Sequence, residues 1–148
     1  MSRVQLALRV SDLAASVEFY GKLFGVQPAK RRPGYANFAV DQPPLKLVLI
    51  EGDPDRPTAL DHLGVEVFTG DEVTAAGDRL RRAGLLTVGE RDTECCYALQ
   101  DKVWVRGPGR EPWEVYFVKG DADRLAKPDD GVCSAADDEP SPGATGCC

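Results

Sequence analysis

The 148-residue sequence lacks long apolar runs and lacks an excess of basic residues. No stretch approaches the roughly 18 apolar residues that a membrane-spanning helix needs, and the first ten residues interrupt their hydrophobicity at Gln5 and Arg9 instead of forming a signal-peptide core. Lys and Arg total 18 against 24 Asp and Glu, and the resulting net charge of -6 is opposite in sign to that of nucleic-acid-binding proteins. We therefore expect a cytoplasmic protein that binds neither membranes nor nucleic acid.

The sequence also lacks the cysteine pattern of a disulfide framework. Its five cysteines are an odd number, with two adjacent pairs, Cys95-Cys96 and Cys147-Cys148, and Cys133 between the pairs. Adjacent residues close a disulfide only through a strained ring, and a cytosolic environment keeps thiols reduced. The cysteines therefore indicate metal, metalloid or redox chemistry.

The carboxyl-terminal segment, residues 128–148, has no basic and no aromatic residue and contains five acidic residues. It accounts for -5 of the net charge of -6, which leaves -1 for residues 1–127. Such a composition cannot build a core. We predict a disordered acidic tail over 128–148, with three cysteines of open role, after one folded domain over 1–127.

An internal repeat organises the folded part. Gln5–Val10 aligns with His62–Val67 at an offset of 57, and both segments alternate as half-buried strands do. A helix start follows each strand, capped by Ser11 or Asp12 in the first half and by a Thr69-Glu72 capping box in the second. The helices carry one apolar stripe each, made of Leu13, Val17, Tyr20 and Phe24 in the first and Val73, Ala76, Leu80 and Ala83 in the second.

Strand-like runs follow both helices. They are Tyr35–Val40 and Leu45–Ile50 in the first half, and Tyr97–Gln100, Val103–Arg106 and Trp113–Val118 in the second. The unit of one strand, one helix and about three strands therefore occurs twice, over about 2–51 and about 60–119. We predict an α+β fold in which two βαβββ modules form a curled mixed sheet around a cavity.

Side-chain alternation along these strands turns Gln5, His62 and Glu114 toward the cavity. One carboxamide oxygen, one imidazole and one carboxylate form a mixed donor set that suits divalent iron, manganese or nickel with open coordination positions. Two alternatives remain open on this pattern. His62 could be a hydrogen-bonded core residue, and Gln5 and Glu114 could bind a polar substrate or each other.

Cys95 and Cys96 form a soft, chelating pair of thiolates that favours thiophilic centres. On a regular strand the two side chains would point to opposite faces, so chelation requires a loop, which we expect around Asp92, Thr93 and Glu94. The alternative is a pair of small buried hydrophobic residues.

Four segments together resemble the vicinal oxygen chelate superfamily, which includes glyoxalases, bleomycin resistance proteins and extradiol dioxygenases. The segments are RVQLALRVSDLAASVEFYGKLFG, DHLGVEV, CCYALQDKVWV and PWEVYFV, and the resemblance covers about residues 2–119. Within the superfamily, CCYALQDKVWV resembles the non-haem iron-dependent carbon-arsenic lyases and their cadmium-inducible relatives.

This resemblance implies an Fe(II)- and O2-dependent dioxygenase that cleaves the carbon-arsenic bond of trivalent organoarsenicals, such as methylarsenite or trivalent aromatic arsenicals, and releases arsenite for arsenic detoxification. It implies metal binding by Gln5, His62 and Glu114 and substrate binding by Cys95 and Cys96. Tyr97 and Lys102 are candidates to contact these ligands. Many members of the superfamily carry His at the position of Gln5, so we expect weaker iron binding here. The chain is expected to act as a monomer or homodimer.

Two other functions fit parts of the sequence. A thiol-based protein that binds arsenite or cadmium without turnover would use Cys95, Cys96 and the tail cysteines. A protein of the same fold that sequesters a drug or antibiotic would need no metal and gives no reason for the adjacent cysteines.

Overall fold

The computed structural model describes residues 2–125, which form two modules of identical element order. The first module comprises β1 (Arg3–Val10), α1 (Leu13–Phe24), β2 (Lys30–Arg32), β3 (Tyr35–Val40) and β4 (Leu45–Glu51). The second comprises β5 (Ala59–Val67), α2 (Gly70–Arg82), β6 (Thr87–Cys95), β7 (Ala98–Arg106) and β8 (Pro112–Asp121). The predicted βαβββ repeat is confirmed. The predicted tail, 128–148, lies outside the described residues.

All eight strands of the described residues belong to one mixed sheet in the order β2-β3-β4-β1-β5-β8-β7-β6. Strands β1 and β5 pair antiparallel at its centre, with Gln5 opposite Gly64 and Ala7 opposite His62. The repeat offset of 57 aligns Gln5 with His62 and Ala7 with Gly64, so it maps each of these two pairs onto the other. The modules are therefore related by a local two-fold axis between β1 and β5.

The sheet curls until its two ends meet. The turn after β6 reaches the hairpin between β2 and β3, where the Tyr97 hydroxyl donates a hydrogen bond of 2.9 Å to the Pro33 carbonyl. Lys30 of β2 also forms an ion pair with Asp121 of β8. The outer face carries the helices, and the inner face forms a concave surface.

Both helices begin at caps that the sequence predicts. Asp12 caps α1 by accepting from the Ala15 amide at 2.9 Å, and Gly25 ends it with a φ of 67°. Thr69 caps α2 by accepting from the Glu72 amide. Helix α1 covers a core that includes Val10, Ala36, Phe38, Leu47 and Leu49. Helix α2 covers a smaller core of Val67, Val73 and Val103.

The strands of the second module differ from the prediction in two respects. Tyr97–Gln100 and Val103–Arg106 are parts of one strand, β7, because Asp101 and Lys102 continue its ladder despite their charge. The polar segment Thr87–Cys95 is a strand rather than a loop, with a bulge between Glu90 and Thr93 and a φ of 50° at Asp92. Within residues 2–125, neither helix is both long and apolar enough to cross a membrane.

Candidate metal centre and thiol pair

Gln5, His62 and Glu114 meet on the concave surface, each from a different one of the adjacent strands β1, β5 and β8. All three are buried, with 2–3% of their surface exposed. Gln5 Nε2 lies 2.9 Å from His62 Nε2 and 2.9 Å from Glu114 Oε1, and the last two atoms are 3.3 Å apart. The structure therefore brings together the three residues that strand alternation turned toward the cavity.

Gly64 makes room for this cluster. It lies opposite Gln5 on β1 and beside Glu114 on β8. A Cβ atom at this position would stand 3.2 Å from Gln5 Cβ and 3.2 Å from Glu114 Cγ. A larger residue would therefore push the two ligand candidates apart.

His62 is oriented by a carboxylate that the sequence did not reveal. Its Nδ1 donates to Asp61 Oδ2 at 2.8 Å, and Arg9 Nε donates to Asp61 Oδ1 at 2.9 Å. This arrangement keeps the proton on Nδ1 and leaves Nε2 to face Gln5 and Glu114. On a regular strand Asp61 would point away from His62, but β5 carries a bulge there, with Ala7 opposite His62 and Leu8 opposite Leu60.

Lys102 of β7 faces the same cluster. Its Nζ donates to Glu114 Oε2 at 2.7 Å, and only 2% of the residue is exposed. The Trp104 indole lies beside Lys102 and His62, with Lys102 Nζ 5.1 Å from the ring centroid and the His62 ring 5.6 Å away. Of the two residues expected near the predicted ligands, Lys102 contacts Glu114, whereas the Tyr97 side chain packs against Tyr35 and Pro33.

Opposite charges stabilise the ionised forms of Glu114 and Lys102. Burial works to raise the pKa of Glu114, but the Lys102 ammonium and His62 hold that pKa well below its usual range. Burial works to lower the pKa of Lys102 and of His62, yet the Glu114 charge raises both, helped at His62 by Asp61. The carboxylate of Glu114 is therefore available to a cation at neutral pH.

Tyr116 contacts Gln5, the member of the cluster on β1. This tyrosine is fully buried on β8, and its hydroxyl donates to Gln5 Oε1 at 2.5 Å. Strand alternation puts Tyr116 on the same face of β8 as Glu114 but does not reveal this bond, because the bond depends on how the Gln5 carboxamide is turned.

Cys95 and Cys96 lie on the same side of a tight turn between β6 and β7. Their sulfur atoms are 3.8 Å apart. The two central residues of the turn, Cys96 and Tyr97, have φ values of 53° and 57°, a conformation that Asn and Gly usually adopt in two-residue hairpins. Backbone amides of both residues bond to the Leu125 and Arg124 carbonyls at 2.8 Å. The geometry needed for chelation thus comes from this turn and not from Asp92–Glu94.

The state of the two sulfurs differs from the expected pair of thiolates. Burial, opposed by the Lys102 charge and assisted by that of Glu114, raises the pKa of Cys96 to about 12, so its thiol is protonated at neutral pH. Cys95 is disulfide-bonded. Cys95 therefore has to be reduced before the pair can chelate.

The thiol turn packs close to the metal candidates. Cys95 is fully buried in a cluster with Ala7, the residue opposite His62, and with Tyr35, Val48 and Ile50. Gln100 of β7 supports the turn by donating from Nε2 to the Cys95 carbonyl at 3.1 Å. The other end of this amide, Gln100 Oε1, is buried and accepts no hydrogen bond within residues 2–125, so it is an acceptor available to a ligand.

The donor set fits a divalent transition metal. Glu114 offers a carboxylate, His62 an imidazole nitrogen, and the side chain of Gln5 a carboxamide, a combination that leaves coordination positions open on iron or manganese. No three His, Cys, Asp or Glu side chains in the described part of the chain cluster as metal ligands. A metal at this position therefore depends on Gln5 as the third donor.

Comparison with known proteins adds three findings. Residues 3–115 match the model of the Glyoxalase/Bleomycin resistance protein/Dioxygenase superfamily. The chain is 67% identical to a trivalent organoarsenical cleaving enzyme of Thermomonospora curvata over 97% of this chain and 95% of that protein. It is 58% identical to the cadmium-induced protein CadI of Mycobacterium bovis over 83% of this chain and 80% of that protein.

Solved structures agree on the fold. A homoprotocatechuate 2,3-dioxygenase of Brevibacterium fuscum, in an anaerobic complex with 3,4-dihydroxyphenylacetate, superposes with a TM-score of 0.58 at 25% identity. The match covers 83% of this chain and 38% of the dioxygenase.

Proposed function

Because this chain belongs to the Glyoxalase/Bleomycin resistance protein/Dioxygenase superfamily, we propose that it cleaves the carbon-arsenic bond of trivalent organoarsenicals and releases arsenite. Fe(II) is the proposed cofactor, O2 the co-substrate, and arsenic detoxification in the cytoplasm the role. The observation that carries the proposal is the placement of two adjacent cysteines beside a carboxylate, imidazole and carboxamide cluster on one concave surface. The 67% identity to a trivalent organoarsenical cleaving enzyme supports it.

The reduced cysteines would bind the substrate through arsenic. An arsenical with one organic group and two hydroxyls exchanges both hydroxyls for sulfur, and each thiol proton leaves as water with a displaced hydroxyl. The protonated Cys96 is therefore suited to this exchange, which needs no thiolate at equilibrium. The sulfur separation of 3.8 Å allows both atoms to reach one arsenic.

The cluster would hold Fe(II) through Gln5, His62 and Glu114. When bound, ferrous iron supplies a site for the activation of dioxygen next to the carbon-arsenic bond. Lys102 keeps the Glu114 carboxylate ionised and in place, and Asp61 with Arg9 keeps His62 Nε2 turned to the cluster. Gln100 holds the thiol turn against the concave wall, which fixes the arsenic relative to these ligands.

A second candidate is binding of arsenite or cadmium without turnover. It is favoured by the same adjacent cysteines and by the 58% identity to a cadmium-induced protein. This candidate requires the thiols but gives no role to the buried contacts of Lys102 and Asp61.

The test uses reduced protein loaded with Fe(II) under anaerobic conditions, to which a trivalent aryl arsenical and then air are added. We expect inorganic arsenite to appear only after air. Cys95→Ser and Cys96→Ser should each lose arsenical binding and arsenite release while keeping iron, because a hydroxyl is a harder and far less acidic ligand than a thiol. Cys133→Ser, which leaves the adjacent pair intact, is the matched control.

Three outcomes separate the candidates. Arsenical binding without arsenite release in the wild-type protein would favour the binding protein. Lowered stability of both Ser variants with activity retained in the folded fraction would make the cysteines structural. Undiminished arsenite release from both variants would remove the thiols from the mechanism.

A further inference from the structure

The Gln5 carboxamide presents the wrong atom to the metal position. Gln5 Nε2, His62 Nε2 and Glu114 Oε1 form a triangle with sides of 2.9, 2.9 and 3.3 Å. Adjacent ligands of an octahedral ion with bonds of about 2.1 Å are about 3 Å apart, so the triangle has the size of one octahedral face. However, an amide nitrogen only donates hydrogen bonds, and here its two hydrogens point to His62 and Glu114.

Tyr116 holds the carboxamide oxygen on the opposite side. The hydroxyl-to-oxygen distance is 2.5 Å, and both residues are buried. Within residues 2–125 the Tyr116 hydroxyl makes no other hydrogen bond. In this orientation the carboxamide oxygen and both N–H groups of Gln5 have hydrogen-bond partners without a metal.

We propose that Tyr116 is a positioning residue that holds Gln5 in a metal-free orientation, and that metal binding turns the carboxamide half a turn about its Cγ–Cδ bond. The proposal rests on the metal site of the proposed function. After the turn, Gln5 Oε1 faces His62 and Glu114, and Nε2 faces the Tyr116 oxygen. The Tyr116 proton then loses its acceptor, so the hydroxyl opposes metal binding.

The experiment measures the dissociation constant of Co(II) by anaerobic equilibrium dialysis with reduced protein. Tyr116→Phe removes the hydroxyl and should bind Co(II) about fivefold more tightly, the factor that corresponds to one net hydrogen bond of about 1 kcal/mol. Tyr35→Phe is the matched control, because Tyr35 is an equally buried tyrosine of the concave surface whose hydroxyl bonds to Asn37. Its dissociation constant should equal that of the wild type.

Gln5→Glu provides a background in which no turn is needed, because a carboxylate has oxygen at both ends. Adding Tyr116→Phe to Gln5→Glu should therefore give no tightening. If Tyr116→Phe lowers the Co(II) dissociation constant equally in the wild-type and Gln5→Glu backgrounds, its effect does not depend on the carboxamide, and the proposal is overturned. Weaker binding by Tyr116→Phe alone would also overturn it, since the hydroxyl would then support the metal-bound orientation.

A spectroscopic readout covers the case in which Tyr116→Phe fails to fold. In wild-type protein labelled with ¹⁵N, the side-chain NH2 signals of Gln5 are assigned by their absence from the Gln5→Glu spectrum. They should shift strongly on loading with Zn(II), as both hydrogens leave His62 and Glu114. If the chain binds the metal and these signals do not change, the rotation of the Gln5 carboxamide is overturned but the metal site stands. If the wild-type chain binds no metal through His62, the metal site and this proposal are both overturned.

Discussion

The two modules share one element order but line the concave surface differently. Val48 of β4 lies opposite Ala7, and Glu114 of β8 lies opposite Gly64. Since the repeat aligns Ala7 with Gly64, Val48 is the first module's counterpart of Glu114. By the same registers, Ile50 is the counterpart of Tyr116 and Tyr35 the counterpart of Lys102.

The two halves of the concave surface therefore differ in chemistry. The second module contributes the ionised pair of Glu114 and Lys102. At the equivalent positions the first module has an apolar wall, and Cys95 packs against this wall. The proposed metal position and the separate binding surface for the thiol turn both result from this difference between the halves. The first module contributes one neutral donor, Gln5, to the cluster.

The largest expected effect comes from removing the second module's donors. His62→Ala and Glu114→Ala should each abolish metal binding and turnover, because two donors do not hold the ion. Glu114→Ala should also destabilise the fold by about 3–5 kcal/mol, since it leaves the Lys102 charge buried and unpaired. Metal content per folded chain is the measurement.

Val48→Ala, at the equivalent position of the first module, is the matched control and should keep its metal. Full iron occupancy in both His62→Ala and Glu114→Ala would remove these residues from the set of ligands.

A second comparison concerns the cores beneath the two helices. Phe38 is fully buried under α1, and Phe38→Ala should lower the free energy of unfolding by about 3–5 kcal/mol. Val103→Ala under α2 removes a smaller side chain from a smaller cluster and should cost less. Urea unfolding of the metal-free proteins measures both changes. A larger loss for Val103→Ala would show that the second module carries the main core.

Alternation and repeat spacing predicted the module order, the caps of both helices and the meeting of Gln5, His62 and Glu114. Those features depend on regular strands and helices, where side-chain direction follows position. Strand β6 was not predicted, because its segment is polar and its pairing with β7 is interrupted by a bulge.

Other parts of the site depend on departures from regular structure. Asp61 reaches His62 through a bulge in β5, and Cys96 joins Cys95 through a left-handed turn. The residue types at these positions do not specify either feature. The buried state of Lys102 likewise follows from its partner Glu114, which is 12 residues away in sequence and adjacent only in the sheet.

The carboxylate behind His62 gives the next prediction. Asp61→Asn should weaken metal binding by about 10- to 100-fold, because an amide no longer fixes the imidazole tautomer or raises the basicity of Nε2. Asp78→Asn, at an exposed carboxylate of α2 that pairs with Arg81, should leave the metal affinity unchanged. Equal affinities of Asp61→Asn and wild type would show that the strand alone orients His62.

The smallest effect is expected from restoring symmetry at position 5. The repeat aligns Gln5 with His62, so Gln5→His places a second imidazole at the equivalent point of β1. It should keep the metal and bind it more tightly at neutral pH and above, because imidazole is a stronger donor than a carboxamide oxygen.

The gain in metal affinity should shrink as the pH falls through about 6.5, since the new imidazole then binds a proton in competition with the metal. Wild-type binding should fall less steeply with acid, because only His62 must lose a proton, from a pKa that Glu114 and Asp61 raise against the opposing effect of burial. Metal titrations of both proteins across this range test the prediction, and loss of the metal in Gln5→His at every pH would mean that the first module's donor position does not mirror that of the second.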